Sequence, residues 1–140
     1  MKVLITGGAG FIGSSIAKKL LERGDEVVLV DNFNDYYDPE LKKSRISNLN
    51  SLFENVEVFQ VDIANYEAMD KVFKQSKPDK ICHLAAQAGV RYSIENPFAY
   101  QETNSKGTLN MLELCRHNKV KDFIFASSSS VYGNNKKICT

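Results

Sequence analysis

The stretch LITGGAGFIGSSIAKKLLERG sets Gly7, Gly10 and Gly13 between a short apolar run and a longer amphipathic one. Glycine at these points lets a tight turn carry backbone N–H groups close to an anion, where a side chain would block the approach. The same residues satisfy GxGxxG, counted from Gly8, Gly10 and Gly13. Asp31 follows at the tip of the next apolar run, 18 residues after Gly13. An acid there can accept both ribose hydroxyls of an adenosine and would repel a 2′-phosphate, so the pattern favours NAD over NADP. The competing reading is a glycine turn in an unrelated α/β domain.

Three further segments offer chemistry. Asp62, in VDIAN, ends the third apolar run where an adenine amino group would lie in this layout. Capping the helix after it is the alternative role, with Asn65 as a rival. The small residues of HLAAQAGV let backbone run beside a cofactor or make a close helix contact. Four serines, Ser127 to Ser130, stand between an apolar run and a Val-Tyr-Gly turn, as part of an active site would.

These groups need a scaffold that brings run ends together. Five β-branched runs, at 2–6, 26–31, 56–62, 80–85 and 121–127, alternate with segments long enough for helices. Such alternation is best solved by a parallel sheet with helices on both faces. Asp38 with Pro39, and Asn96 with Pro97, mark two helix starts. Ile12, Ile16, Leu20 and Leu21 are predicted to face the sheet from the first helix. In the helix from Pro97 to Asn118, Thr108, Leu109, Leu112 and Cys115 are predicted to do so, with Glu102, Lys106 and Glu113 opposite.

The 140 residues fit one domain, with 43% apolar and 25% charged residues and no repeat or linker. Lys plus Arg number 18 against 17 Asp plus Glu, which gives no basic stripe for nucleic acid. The N-terminal apolar run is too short for a signal peptide or a membrane span, so a cytoplasmic location is expected. Cys82, Cys115 and Cys139 share no CxxC spacing, which argues against disulfides and zinc; Cys82 and Cys115 read as core residues.

Taken together, TGGAGFIG, DN at 31–32, DI at 62–63, HLAAQAGVRYS and ASSSSVYG resemble the extended short-chain dehydrogenase/reductase family of nucleotide-sugar enzymes. The stretches DNFNDYYDPELKKSRI, AAQAGVRYSIENPFAY and SSSSVYGNNKK resemble the UDP-glucuronate 4-epimerases more narrowly. The resemblance implies a Rossmann-type parallel sheet of about five strands in the order 3-2-1-4-5. It implies that NAD takes hydride from C4 of a UDP-sugar and returns it to the other face of a 4-keto intermediate.

Carried over by position, the cofactor set is Gly7, Gly10, Phe11, Ile12, Gly13, Asp31, Asn32, Asp62, Ile63, Leu84, Ala85, Ala86 and Asn104. Asn104 would brace the nicotinamide end, or is an exposed polar residue of a helix. Ser128, five residues before Gly133, is the implied catalytic hydroxyl, with Ser129 beside it toward substrate. Arg91 suits a sugar carboxylate or a diphosphate, or is a surface residue.

The family's Tyr-x-x-x-Lys pair is not found. Tyr66 and Tyr92 lead to Asp70 and Asn96, and Tyr132 with Lys136 lies in a Gly-Asn turn. Cys139 stands where a proline-like turn residue is expected. The expectation is therefore an NAD-binding Rossmann domain over 1–140, C-terminally truncated and without its substrate domain, inactive alone. An uncovered fifth strand would then promote self-association, and a complementing C-terminal chain or a homo-oligomer would be the partner. The alternatives are a non-catalytic nucleotide-binding module, or a decarboxylase, dehydratase or UDP-galactose 4-epimerase of the same family.

Overall fold

Val, Ile and Leu crowd five runs too apolar to leave either sheet face in water, and the chain answers with helices on both. The structure, a computed structural model, describes residues 1–134. Strands β1 (Lys2–Thr6), β2 (Glu26–Asp31), β3 (Val56–Gln60), β4 (Lys80–His83) and β5 (Asp122–Phe125) form one sheet. Its order is β3-β2-β1-β4-β5, every pairing parallel, as expected. The last three strands stop short of their apolar runs; after β3 and β4, Val61 to Ile63 and Leu84 to Gln87 wall a cleft at the sheet's C-terminal edge.

Alternation along β1 and β2 divides the interior in two. Leu4, Val28 and Val30 face one side, under helices α3 (Tyr66–Ser76) and α6 (Thr108–Asn118), with Phe73, Met69, Met111 and Leu114. Val3, Ile5, Val27 and Leu29 face the other, under α1 (Phe11–Glu22) and α2 (Pro39–Leu52), with Ala17, Leu21, Ile46 and Leu49. Cys82 and Cys115 belong to these cores; burial pushes the Cys115 thiol up to about 11 and raises that of Cys82, so both stay protonated.

Both helix starts fall where Pro marks them. The Asp38 side chain accepts from the Glu40 N–H at the head of α2. Short helix α4 (Val90–Glu95) precedes α5 (Pro97–Tyr100), where Asn96 accepts from the Ala99 N–H. Between α5 and α6 the backbone widens into π-helical turns over Gln101–Gly107, which the even helical spacing of the sequence does not signal.

Two predicted faces are corrected in part. Ile16, Leu20 and Leu21 pack toward the sheet as expected, but Ile12 is exposed, and Gly13, Ser14 and Ala17 are buried. The start of α1 lies so close to the preceding turn that a Cβ on Gly13 would stand 2.2 Å from the Gly7 carbonyl oxygen, and this contact turns the small residues inward. On α6, Leu109 and Leu112 are exposed, and Gly107, Met111, Leu114 and Cys115 face the sheet. Gly107 is seated against the Ile63 side chain, and that contact sets the rotation of the helix. Glu102, Lys106 and Glu113 lie outward, in pairs with Lys106 and Arg116. Strand β5 is an edge of the sheet, with Ile124 and Phe125 exposed. Among the described residues, no helix is long and apolar enough to cross a membrane.

Candidate cofactor-binding site

Parallel strands that diverge to left and right of β1 leave a crevice beyond their C-terminal ends, and here the crevice opens between β1 and β4. Its floor is the glycine turn. The Gly8 N–H donates to the Val30 carbonyl (3.1 Å) and the Gly10 N–H to the Gly7 carbonyl (3.0 Å), which draws the turn across the tips of β1 and β2. Gly10 precedes α1 without any side-chain cap. The N–H groups of Phe11, Ile12 and Gly13 have no acceptor among the described residues. An uncapped first turn of a 12-residue helix with free donors is suited to an anion.

Asp31, buried at the end of β2, accepts from the N–H groups of Ala9 (3.1 Å) and Phe33 (2.9 Å). Buried Lys42, reaching back from α2, lies 3.6 Å from Asp31 and donates to the Asn34 carbonyl (3.1 Å) and side-chain oxygen (2.8 Å). Asn32 Nδ2 donates to Asp62 (3.0 Å), joining the ends of β2 and β3, and Asp62 also accepts from the Ala64 N–H. Asn65, not Asp62, caps α3 by accepting from the Ala68 N–H.

The far wall follows β4. Thr6 Oγ1 accepts from the N–H groups of Leu84 and Ala85, both at 3.1 Å, so its own proton goes to His83 Nδ1 at 2.7 Å. His83 therefore carries its proton on Nε2 and donates it to Thr108 Oγ1 at 3.0 Å. Burial lowers this imidazole from 6.5 to about 4, which keeps it neutral. The chain of three side chains ties β1, β4 and α6 together directly beneath the loop. Asn104, on the widened turns, grips the Gln87 backbone at both its N–H (2.7 Å) and its carbonyl (2.9 Å). Gln87 lines the cleft with its Nε2 sealed from solvent beside the Tyr100 hydroxyl.

Residues 4–140 match the family described as GDP-mannose 4,6 dehydratase. The chain belongs to that family. Protein CapI of Staphylococcus aureus is 50% identical over 96% of this chain and 40% of its own length. UDP-glucuronate 4-epimerase 4 of Arabidopsis thaliana is 48% identical over 97% of this chain and 31% of its own. The crystal structure of UDP-glucuronic acid 4-epimerase from Bacillus cereus, in complex with UDP-glucuronic acid and NAD, superimposes with a TM-score of 0.87. It is 37% identical, over 100% of this chain and 44% of that one. The chain thus spans between 31% and 44% of the length of these relatives, and it is similar to the epimerases among them, as its motifs predict.

In this member of the family the cleft gathers Gly7, Gly10, Asp31, Asn32, Asp62, Ile63, Leu84, Ala85 and Ala86, all expected there. Gly13 and Asn104 do not line it: Gly13 packs α1 against the turn, and Asn104 is hydrogen-bonded to the Gln87 backbone. Phe11 and Ile12 follow Gly10 with exposed side chains and are not among the cleft-lining residues. Arg91, on α4, is exposed, and it does not line the cleft; neither do Ser128 and Ser129. Ser128 Oγ accepts from the Ser130 N–H at the head of a 3-10 turn, Ser129–Tyr132. Lys136 and Cys139 lie outside the described residues. Sequence reasoning missed Lys42, Asn34, Tyr36, Tyr37, Gln87 and Thr103 in the lining. The DNFNDYYDPELKK stretch was a signal for four of them, but it named no contact.

Proposed function

We propose that these 140 residues are the NAD-binding part of a nucleotide-sugar 4-epimerase of the kind that acts on UDP-glucuronate. The observation that carries the reading is one cleft with uncapped N–H donors at one end and a strand-tip carboxylate at the other. The residues present fit a dinucleotide. The free N–H groups opening α1 would take the diphosphate, and Asp31 the adenosine ribose. Asn32 and Asp62 would flank the adenine, and Leu84 to Gln87 would run beside the nicotinamide half. NAD, when bound, supplies reversible hydride transfer. Ser128 would hydrogen-bond the sugar oxygen, Arg91 and Ser129 would meet other parts of the UDP-sugar, and the 140-residue chain alone would be inactive.

Titration calorimetry of the 140-residue chain tests the binding. NAD is expected to bind at least about tenfold more tightly than NADP, and Asp31→Asn to weaken NAD by about 10- to 100-fold through loss of charge-assisted hydrogen bonds. No heat with NAD, or equal affinity for NADP, overturns the reading. Incubation with UDP-glucuronate and NAD is expected to give no UDP-galacturonate; turnover would overturn inactivity alone. A second reading, a nucleotide-binding module without chemistry, draws support from the exposure of Ser128, Ser129 and Arg91 away from the cleft lining.

A further inference from the structure

Two of the stretches that narrow the family resemblance, DNFNDYYDPELKKSRI and AAQAGVRYSIENPFAY, meet across the mouth of the cleft. From the first, Tyr36 brings its ring to 5.7 Å from that of Tyr92, which in turn lies 6.2 Å from that of Tyr100. The Tyr36 hydroxyl rests on Gly89, where an added Cβ would stand 2.5 Å from it. Gly89 has φ +100°, a backbone form that side chains disfavour, so this seat requires glycine twice over. Tyr100 fixes the seat from behind, its hydroxyl sharing its one proton between the carbonyls of Ala88 (2.8 Å) and Gly89.

The segment that carries Tyr36, residues 32–38, is anchored at its root. Lys42 holds Asn34 by two hydrogen bonds and faces the Tyr37 ring at 4.9 Å, while Arg45 donates to the Tyr37 hydroxyl at 3.1 Å. Tyr36 and Tyr37 line the same cleft as Gly7, Asp31 and Gln87. Its root is therefore pinned beside the ribose end, and its tip reaches the opposite rim through Tyr36.

We propose that Tyr36 is a cofactor-retaining residue, whose ring, seated on Gly89 and Tyr92, closes the cleft over a bound dinucleotide and limits its escape. The proposal rests on the NAD-binding reading. An enzyme that returns its hydride within one cycle has no need to exchange cofactor, so slow release costs it nothing. One aromatic seat is worth about tenfold in a rate.

The test is stopped-flow displacement of fluorescent NADH from the 140-residue chain by excess NAD. Tyr36→Ala is expected to release NADH about tenfold faster and to bind it faster as well, with a smaller change in affinity. Tyr36→Phe, which keeps the ring, should stay within about threefold of the parent. Thermal melting of the ligand-free variants checks that each is folded. An unchanged release rate in folded, NADH-binding Tyr36→Ala overturns the clasp and leaves the cofactor reading intact. A parent chain that binds no NADH overturns the cofactor reading, and the clasp with it.

Discussion

His83 sits between two threonine hydroxyls in a packed interior, and that placement gives the fold a dependence on pH. Its value of about 4 in the folded chain lies below the ordinary 6.5, so as pH falls the unfolded chain takes up the proton first. Stability is then full above about pH 6.5 and declines toward pH 4, by at most about 1.4 kcal/mol per pH unit. Asp25, Glu22 and Glu113, held below the ordinary carboxylate range by Arg23, Lys19 and Arg116, lose their share only at lower pH. Urea midpoints measured between pH 7 and pH 4 should fall in the parent and stay flatter in His83→Gln; parallel curves would refute the assignment. Asp31 was legible in the sequence because a strand tip at fixed distance from a glycine turn is a local pattern. His83 and Lys42 were not. Nothing near Lys42 distinguishes it from the neighbouring Lys43, and only the return of α2 over the 32–38 segment makes one buried and leaves the other in water.

Among the elements, α6 is the sharpest case. Its sequence has two apolar stripes, and regular spacing alone does not say which one meets the sheet. The contact of Gly107 with Ile63 and the bond from Thr108 to His83 select the stripe with Met111 and Leu114. Met111→Ala should cost about 2–5 kcal/mol in chemical denaturation, as truncation of a fully buried side chain does. Leu109→Ala and Leu112→Ala should each stay within about 0.5 kcal/mol in the same chain. The reverse ranking would mean that the helix is rotated. The strands were easier to read than the helices. A short β-branched run buried on both faces has no face to choose, whereas a helix must choose one, and distant contacts decide it. The widened turns that hold Asn104 against Gln87 were invisible for the same reason, since an irregular turn is stabilised by what it touches.

Across the whole molecule, the strand count and parallel sheet followed from the alternation of apolar runs with longer segments and the strand order from the family resemblance, while the roof of the cleft depended on segments far apart in the chain. Strand β1 is hydrogen-bonded on both sides and contributes to both cores, whereas β3 and β5 are edges of the sheet. Amide hydrogen exchange should therefore be slowest in Val3 to Ile5, released only by global unfolding, and faster by orders of magnitude in β5. Exchange in β5 as slow as in β1 would contradict the edge assignment. The glycine turn and Thr6 continue directly from β1, while Tyr36 rides on an exposed segment between β2 and α2. A cofactor in this cleft would rest on a turn continuous with the slowest-exchanging strand and be covered by an exposed segment. It could then come and go by movement of the cover alone, without disturbing the floor that recognises it.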